Sequence, residues 1–501
     1  MPDLGVYEGA CFLQLDRTAT EVAALALPAL VVDMDGTLVR SDTLYDAVVT
    51  LVGRDPGVLL HLPLWVSRGK VALKLAVADR CILDAEGLPY DDAVLEMIRK
   101  ARAEGRQVAL VSASDHRQVR AVADYLGLFD LAIGTGSPDT AGVNLAGPQK
   151  ARFLAERYGA KGFDYIGDSQ ADLAVWAEAR QAIVVRRSLT LQREAESQGL
   201  TLTPLGTGGR SLMPLLRAMR PHQWSKNLLI LLPVMASHRL EMLGPALLAM
   251  LIFSLVASSV YLLNDLADLG TDRAHARKRH RPFASGTLSV TWGLTAVGVL
   301  IGTAAVLAFT LATLAFLKVL AFYFLATFAY SFWLKRKLLV DIIALAGLYT
   351  VRIFAGGAAT GIVLSEWLLA FSMFLFFSLA AIKRQAELVD MQKSGRKSTP
   401  GRGYLTDDLP VLRAMAVASG QAAVLVFALY VNSPATVILY THQEAMWLIC
   451  FILFFWLSRM EMMTHRGLMN DDPIVFAMRD RTSLGCLVAV AGLVVLAGSG
   501  G

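Results

Sequence analysis

The stretch Val260–Gly286, VYLLNDLADLGTDRAHARKRHRPFASG, runs from an apolar segment through a cluster of polar residues into a basic run. Asn264, Asp265, Asp268 and Asp272 follow one another at spacings of 1, 3 and 4. On a helix these spacings place Asn264, Asp268 and Asp272 on one face, with Asp265 adjoining it. Carboxylates gathered on one face repel one another unless a hard cation lies between them, and oxygen ligands of this kind, mixed with phosphate oxygens, suit Mg²⁺. Such a group at the end of an apolar membrane helix is costly, which points to a functional site rather than a solvated face.

NDLAD, followed by Asp272 and then by KRHRPFASG, resembles the first aspartate motif of the UbiA superfamily of intramembrane prenyltransferases. The remainder of the chain divides around this stretch. Hydrophobic residues make up 55% of the 501 positions, and the mean hydropathy of +0.50 exceeds that of an ordinary soluble protein. The apolar content is uneven: about the first 200 residues read as soluble α/β, and everything after Gln223 reads as membrane. Met1 to Asp16 carries acidic residues and lacks a basic start followed by an apolar core, so no secretory signal is expected and the N-terminal domain is expected to stay in the cytosol. Cys11, Cys81, Cys450 and Cys486 are scattered without a paired spacing, which argues against a zinc site or a disulfide framework. The net charge of +5 is modest. Its basic residues lie beside apolar spans, where anionic head groups or phosphorylated substrates account for them, so nucleic acid is not expected as a partner.

In the soluble part the apolar run Ala29–Val32 ends in Asp33-Met34-Asp35-Gly36-Thr37-Leu38. A strand that stops at two aspartates and a glycine presents both carboxylates at the carboxyl edge of a sheet, the usual ligand position of open α/β folds. DMDGT resembles the first motif of the haloacid dehalogenase superfamily, and three further matches follow in that family's order. Val108–Val111 is a second apolar strand ending in Ser112, Lys150 opens a helix in GPQKARFL, and Tyr165-Ile166-Gly167-Asp168-Ser169 precedes Asp172.

The resemblance implies roles for these residues. Asp33 is the expected nucleophile and Asp35 the general acid, then base. Ser112 and Lys150 are expected on the phosphoryl group. Mg²⁺ is expected on Asp33, on the backbone carbonyl of Asp35 and on Asp168, with Asp172 supporting the loop. The segment between the first two motifs, including LWVSRGKVALKLAVADR, is too long for a simple connection and reads as a helical cap. The Ser-, Thr-, Gln-, Glu- and Gly-rich stretch from Arg187 to Gly209 reads as a linker. The expected boundaries are a phosphatase domain over 1–187, a linker over 188–214 and a membrane domain over 215–501.

Nine apolar spans are expected, at roughly 224–238, 243–264, 290–311, 313–333, 340–359, 366–382, 411–431, 442–458 and 483–499. The first and eighth are short against the ~20 residues of a full span. Loops after the second, fourth, sixth and eighth spans hold the Lys and Arg residues, and the loops between them hold almost none, which places the former and the N-terminus in the cytosol. The expected fold is therefore a haloacid dehalogenase-like α/β domain, a Rossmannoid parallel sheet with a helical cap, joined to an all-α, multi-pass UbiA-like domain in the inner (plasma) membrane.

Several polar groups fall on the cytosolic side. RPHQWSKN supplies Lys226 and Asn227, the basic run supplies Lys278 and Arg281, and Asp341 and Arg352 lie in the fifth span. Lys383 and Arg384 close the sixth span, and Asp471-Asp472-Pro473 precedes the ninth. Carboxylates, Mg²⁺ and guanidinium groups together suit a diphosphate leaving group.

Aromatic-ring prenyltransferases of the superfamily carry a second aspartate-rich motif, whereas here only Asp341 stands, with Leu345 four residues on. RPHQWSKN, KRHRPFASG, KRQAEL and DDPIVFAMRDR instead resemble the decaprenyl-phosphate phosphoribosyltransferases. That resemblance implies phosphoribosyl pyrophosphate and a polyprenyl phosphate as substrates, with Asp265 and Asp268 catalytic and Asn264, Asp265, Asp268 and Asp272 on Mg²⁺. Lys226, Asn227, Lys278, Arg281, Asp341, Arg352, Lys383, Arg384 and Asp472 are the expected substrate contacts.

Fusion favours this subgroup, because a transferred 5-phosphoribose still carries a phosphate that a haloacid dehalogenase-type domain removes. The expected product is polyprenyl-phosphoryl ribose, a donor precursor for a cell-surface glycan. An aromatic or quinone prenyltransferase with a phosphatase of separate role is the alternative, and a lipid-binding or transport protein with a regulatory soluble domain is a third reading. Chain length of the lipid and homo-oligomerisation are open at this level.

Overall fold

The computed structural model describes residues 27–138, 144–186, 188–206, 211–311, 313–395, 403–434, 436, 440–469 and 472–498. Cys11, the leader, Arg187 and Asp471 lie outside the described residues. Two compact units emerge, one comprising Met1–Ala218 with Asp265–Leu294 and the other Met219–Asn264 with Thr295–Gly501.

The first unit is built on six parallel strands in the order β3-β2-β1-β4-β5-β6. They are β1 (Ala29–Val32), β2 (Val108–Asp115), β3 (Leu131–Thr135), β4 (Phe163–Gly167), β5 (Gln181–Val184) and β6 (Leu202–Pro204). Alternation along the strands divides the core into two faces. Leu30, Val32, Val108, Leu110 and Ile166 point into one cluster, and Val31, Ala109, Val111, Tyr165 and Ala182 into the other. Strand order reverses at β1, which pairs with β2 on one side and β4 on the other. Asp33 follows β1 and Asp168 follows β4, so both carboxylates reach the crevice at the switch point, where open α/β sheets bind ligands.

The helices α1 (Thr43–Arg54), α2 (Leu62–Ser67) and α3 (Lys70–Ala78) form the expected cap segment. Around the sheet run α4 (Asp92–Ala103), α5 (His116–Leu126), α6 (Pro148–Tyr158) and α7 (Leu173–Glu178). The residues read as a linker are largely ordered into α8 (Leu189–Ser197) and β6. Their polar composition concealed Leu191 and Ala195, which are buried against the sheet.

The membrane part contains eight helices long and apolar enough to cross a bilayer, among the described residues. They are α9 (Leu243–Ala267), α10 (Val290–Leu311), α11 (Leu314–Phe332), α12 (Val340–Thr360), α13 (Glu366–Lys393), α14 (Leu409–Val431), α15 (Gln443–His465) and α16 (Arg481–Gly498). The expected first span is not an α-helix. Pro221–Leu231 forms a 3₁₀ helix of 11 residues, followed by a short α-helix over Leu232–Ala236. At ~2.0 Å of rise per 3₁₀ residue this stretch still extends about 30 Å, the thickness of a hydrocarbon core.

Candidate active sites

In the first unit Asp33 and Lys150 form a buried ion pair, with Lys150 Nζ 2.8 Å from Asp33 Oδ1. Lys150 Nζ also donates to Tyr165 Oη at 2.9 Å, and Tyr165 donates to Asp172 Oδ1 at 2.7 Å. The other oxygen of Asp172 accepts from the backbone of Asp168 and Ser169 and from Ser169 Oγ, at 3.0–3.2 Å. Asp172 thus holds the loop that presents Asp168.

Asp33, Asp168 and Asp172 each offer one oxygen, and these oxygens lie within 4.8 Å of one another. Burial pushes the Asp33 carboxyl up to about 6, with Asp172 adding to it and Lys150 opposing it. Burial, reinforced by Asp172 and Asp33, pushes Asp168 up to about 8. Three carboxylates crowded in this way without enough positive charge form a hard-oxygen donor set of the kind a divalent cation satisfies. Gly36 has φ +73°, and a Cβ there would stand 2.3 Å from Asp168 Oδ2, so the turn after the aspartates tolerates only glycine.

Asp35 is held on both oxygens. Thr43 N donates to Oδ1 at 2.8 Å, and Ser114 Oγ makes a short hydrogen bond to Oδ2. Ser112, the hydroxyl read from the sequence, is buried on β2 and its Oγ accepts from Ser114 N at 3.3 Å. Ser114 and Thr43 were missed. The signal for Ser114 was present, because residues two apart on a strand share a face.

The aspartate-rich segment does not continue as one helix. α9 ends at Ala267, Asp268 departs from helical geometry with ψ +4°, and a short helix restarts over Leu269–Arg273. The break lets Ala267 and Gly270 press against α1, where Gly53 and Thr50 lie closest to them. Asp265 and Asp272 then share one guanidinium: Arg281 Nη1 lies 3.1 Å from Asp265 Oδ1 and 2.8 Å from Asp272 Oδ2. Lys278 Nζ stands 4.0 Å from Asp272 Oδ1, an atom that accepts no hydrogen bond. Arg273, assigned no role from the sequence, reaches Asp46 at 2.6 Å.

In the second unit, Asp472 Oδ2 receives Lys226 Nζ at 2.7 Å and Lys383 Nζ at 2.8 Å. Tyr349 Oη lies 3.3 Å from the same oxygen. Arg352 is buried and donates through Nε to Asn227 Oδ1 at 2.9 Å and through Nη2 to Tyr323 Oη at 3.2 Å. Its guanidinium stands over the rings of Tyr323 and Tyr349, at 5.1 and 5.6 Å from their centroids. Lys226, Asn227, Arg352, Lys383 and Asp472 are thus gathered as one site with three cations to one carboxylate, an arrangement that favours an anionic ligand.

Asp341 and Arg384 are drawn to each other instead. They form a buried ion pair, Tyr330 Oη donates to Asp341 Oδ1 at 2.8 Å, and Arg384 also meets Glu387 at 2.5 Å. The aromatic partners Tyr323 and Tyr330 have no local sequence signal, since each meets its partner from another element, whereas Tyr349 stands three residues before Arg352 on α12.

Comparison with known proteins finds two families in the chain. The UbiA prenyltransferase family matches residues 229–478, and haloacid dehalogenase-like hydrolases match residues 66–176. An uncharacterised protein of Sinorhizobium fredii is 36% identical over 92% of this chain and 90% of its own length. The nodulation protein NoeC of Azorhizobium caulinodans is 38% identical over 56% of this chain and 92% of its own length. A decaprenyl-phosphate phosphoribosyltransferase of Mycobacterium tuberculosis is 36% identical over 36% of this chain and 61% of its own length.

Proposed function

Because the chain belongs to the UbiA prenyltransferase family and carries a haloacid dehalogenase-like hydrolase domain, we propose that it performs two consecutive reactions on one lipid. In the first, 5-phosphoribose passes from phosphoribosyl pyrophosphate to a polyprenyl phosphate: the bond from the anomeric carbon to pyrophosphate breaks and a lipid phosphate oxygen forms the new one. In the second, the 5-phosphate is hydrolysed, leaving polyprenyl-phosphoryl ribose, a donor precursor for a cell-surface glycan. One observation carries the reading most: a full complement of phosphatase side chains, Asp33, Asp35, Lys150, Asp168 and Asp172, is assembled in a chain that is 36% identical, over 36% of its length, to a decaprenyl-phosphate phosphoribosyltransferase.

Lys150 engages one oxygen of Asp33, which fixes the carboxylate and leaves the other oxygen to attack phosphorus. Asp35, clamped by Thr43 and Ser114, donates its proton to the departing sugar oxygen and then takes one from the water that releases phosphate. Asp33, Asp168 and the Asp35 carbonyl, with Asp172 holding the loop of Asp168, would hold Mg²⁺, which would supply the positive charge that lets one anion approach another. In the transferase, Asp265, Asp268 and Asp272 with Asn264 would hold a second Mg²⁺ on the diphosphate. Arg281 and Lys278 would neutralise the departing pyrophosphate, while Lys226, Arg352 and Lys383 hold the phosphates of the reactants.

The protein is a multi-pass membrane protein. The aspartate-rich segment is part of the same unit as the phosphatase, which supports placing both on the cytosolic face of the inner membrane with the Lys- and Arg-rich loops.

The discriminating experiment supplies purified protein with Mg²⁺ and ribose-labelled phosphoribosyl pyrophosphate, with and without decaprenyl phosphate. Label entering the lipid fraction only when decaprenyl phosphate is present supports the reading. Absence of label, together with prenylation of an aromatic acceptor from a prenyl diphosphate, would establish the aromatic alternative instead.

A further inference from the structure

Asp35 depends on the turn that begins α1. Thr43 is the first residue of that helix; its backbone N–H binds Asp35 Oδ1, and its hydroxyl lies 3.3 Å from Ser114 Oγ, the group bound to Asp35 Oδ2. Asp42 caps the helix through Leu44 N and Tyr45 N. On either side of Thr43 stand Ser41 and Asp46, joined by a hydrogen bond of 2.5 Å.

Both of these residues are gripped by a single guanidinium from more than 200 residues away. Arg273 Nη2 lies 2.6 Å from Asp46 Oδ2 and 3.1 Å from Ser41 Oγ, and Arg273 Nε donates to Ala284 O at 3.3 Å. The side chain of Arg273 is 6% exposed and that of Asp46 is 1% exposed. Close backbone approach surrounds the pair. A Cβ on Gly53 would stand 2.2 Å from Ala267 O, and one on Gly286 would stand 2.7 Å from Arg40 Cβ. The segment is therefore packed onto α1 at several points, not touching it at one.

We infer that Arg273 is a positioning residue for the phosphatase: through Ser41 and Asp46 it fixes the turn that holds Asp35, so that the segment carrying Asp265 and Asp272 completes the hydrolytic site. Arg273 Nη2 binds both ends of the Ser41–Asp46 turn while Nε is anchored on Ala284 O, and this planar group holds Thr43 N and Asp35 in register. A small displacement of an acid–base group is costly in rate. Removing the guanidinium would also leave Asp46 buried, with Oδ1 already lacking a partner. The inference rests on the reading of Asp35 as acid and base.

The test uses full-length protein in detergent with p-nitrophenyl phosphate, a soluble phosphomonoester that does not require the transferase. Arg273→Ala is expected to lower kcat roughly 10- to 100-fold with KM little changed, because Asp33 and Lys150 are untouched. Arg273→Lys should recover part of the rate, since an ammonium keeps the charge against Asp46 but lacks the Nε donor that anchors the side chain on Ala284 O. Asp46→Asn should lose a similar amount, and the double variant should be no worse than either single one. Arg277→Ala, an exposed neighbour on the same segment, removes the same charge and should retain the wild-type rate. Should Arg273→Ala be too unstable to purify, Arg273→Lys and Asp46→Asn decide alone. Wild-type kcat in these variants, or additive losses in the double variant, would overturn the inference. Retention of activity in Asp35→Asn would instead remove the acid–base reading on which it rests.

Discussion

Lys150 Nζ stands 2.8 Å from Asp33 Oδ1 and 2.9 Å from Tyr165 Oη, with both ionised side chains almost wholly buried. The ammonium is the nearest positive charge to the expected nucleophile and lies where a phosphoryl group would gather negative charge. Lys150→Met preserves much of the side-chain volume and removes that charge. Hydrolysis of phosphomonoesters should fall by roughly 100- to 1000-fold in kcat, measured with a soluble substrate, while transfer of ribose to lipid continues.

Metal affinity should depend on pH in a defined direction. Burial raises Asp33 to about 6 and Asp168 to about 8, above the ordinary carboxylate value of 3.8. The folded site therefore binds more protons than the unfolded chain between pH 4 and 8, and metal-free stability should fall as pH rises through that window. A cation must displace those protons, so apparent Mg²⁺ affinity of the phosphatase site should rise between pH 6 and 8, by roughly tenfold per unit for each proton released. Activity titrations with Mg²⁺ at several pH values check this. A flat dependence would contradict it.

Arg352 makes contacts that lysine cannot duplicate. Its Nε and Nη2 engage Asn227 and Tyr323 at once, and its plane lies over two tyrosine rings. Arg352→Lys keeps the charge but not this fork, and each charged hydrogen bond lost is worth about 1.5–3 kcal/mol. Ribosyl transfer should drop at least tenfold, with phosphomonoester hydrolysis unchanged.

The Arg384–Asp341 pair has a different expected signature. Both side chains are buried, and Tyr330 completes the arrangement. Arg384→Met leaves Asp341 without its countercharge, at a cost of about 3–5 kcal/mol, which thermal unfolding in detergent would register. Combining it with Asp341→Leu should recover a large part of that loss, because the isolated buried charge is then gone. A merely additive double variant would argue for a role of Asp341 beyond the pair.

Much of this arrangement was legible in the sequence where chemistry and chain direction coincide. DMDGT follows an apolar strand, so the sheet edge and Asp33 could be placed together, and Lys150 and Asp168 followed in order. Helix length and hydropathy carried the membrane spans. The expected first span, 224–238, takes another form because a 3₁₀ stretch beginning at Pro221 has the same apolar composition as an α-helix. Within the stretch expected as a linker, Leu191 is buried in the core on one face of the sheet, which its polar neighbours do not signal. Least legible was the place of Asp265–Leu294: the contacts of Arg273 with Asp46 and of Gly286 with Arg40 join distant parts of the chain, and nothing in local periodicity encodes them.

The central claim is that one chain first adds a phosphorylated ribose to a lipid phosphate and then removes the 5-phosphate. It is tested most directly by incubating wild type and Asp33→Asn with ribose-labelled phosphoribosyl pyrophosphate, decaprenyl phosphate and Mg²⁺, and analysing the extracted lipids by mass spectrometry. Wild type should yield lipid-phosphoryl ribose, and Asp33→Asn should accumulate the same lipid bearing the 5-phosphate. A dephosphorylated product from Asp33→Asn, or no ribose on the lipid in either protein, would contradict the account.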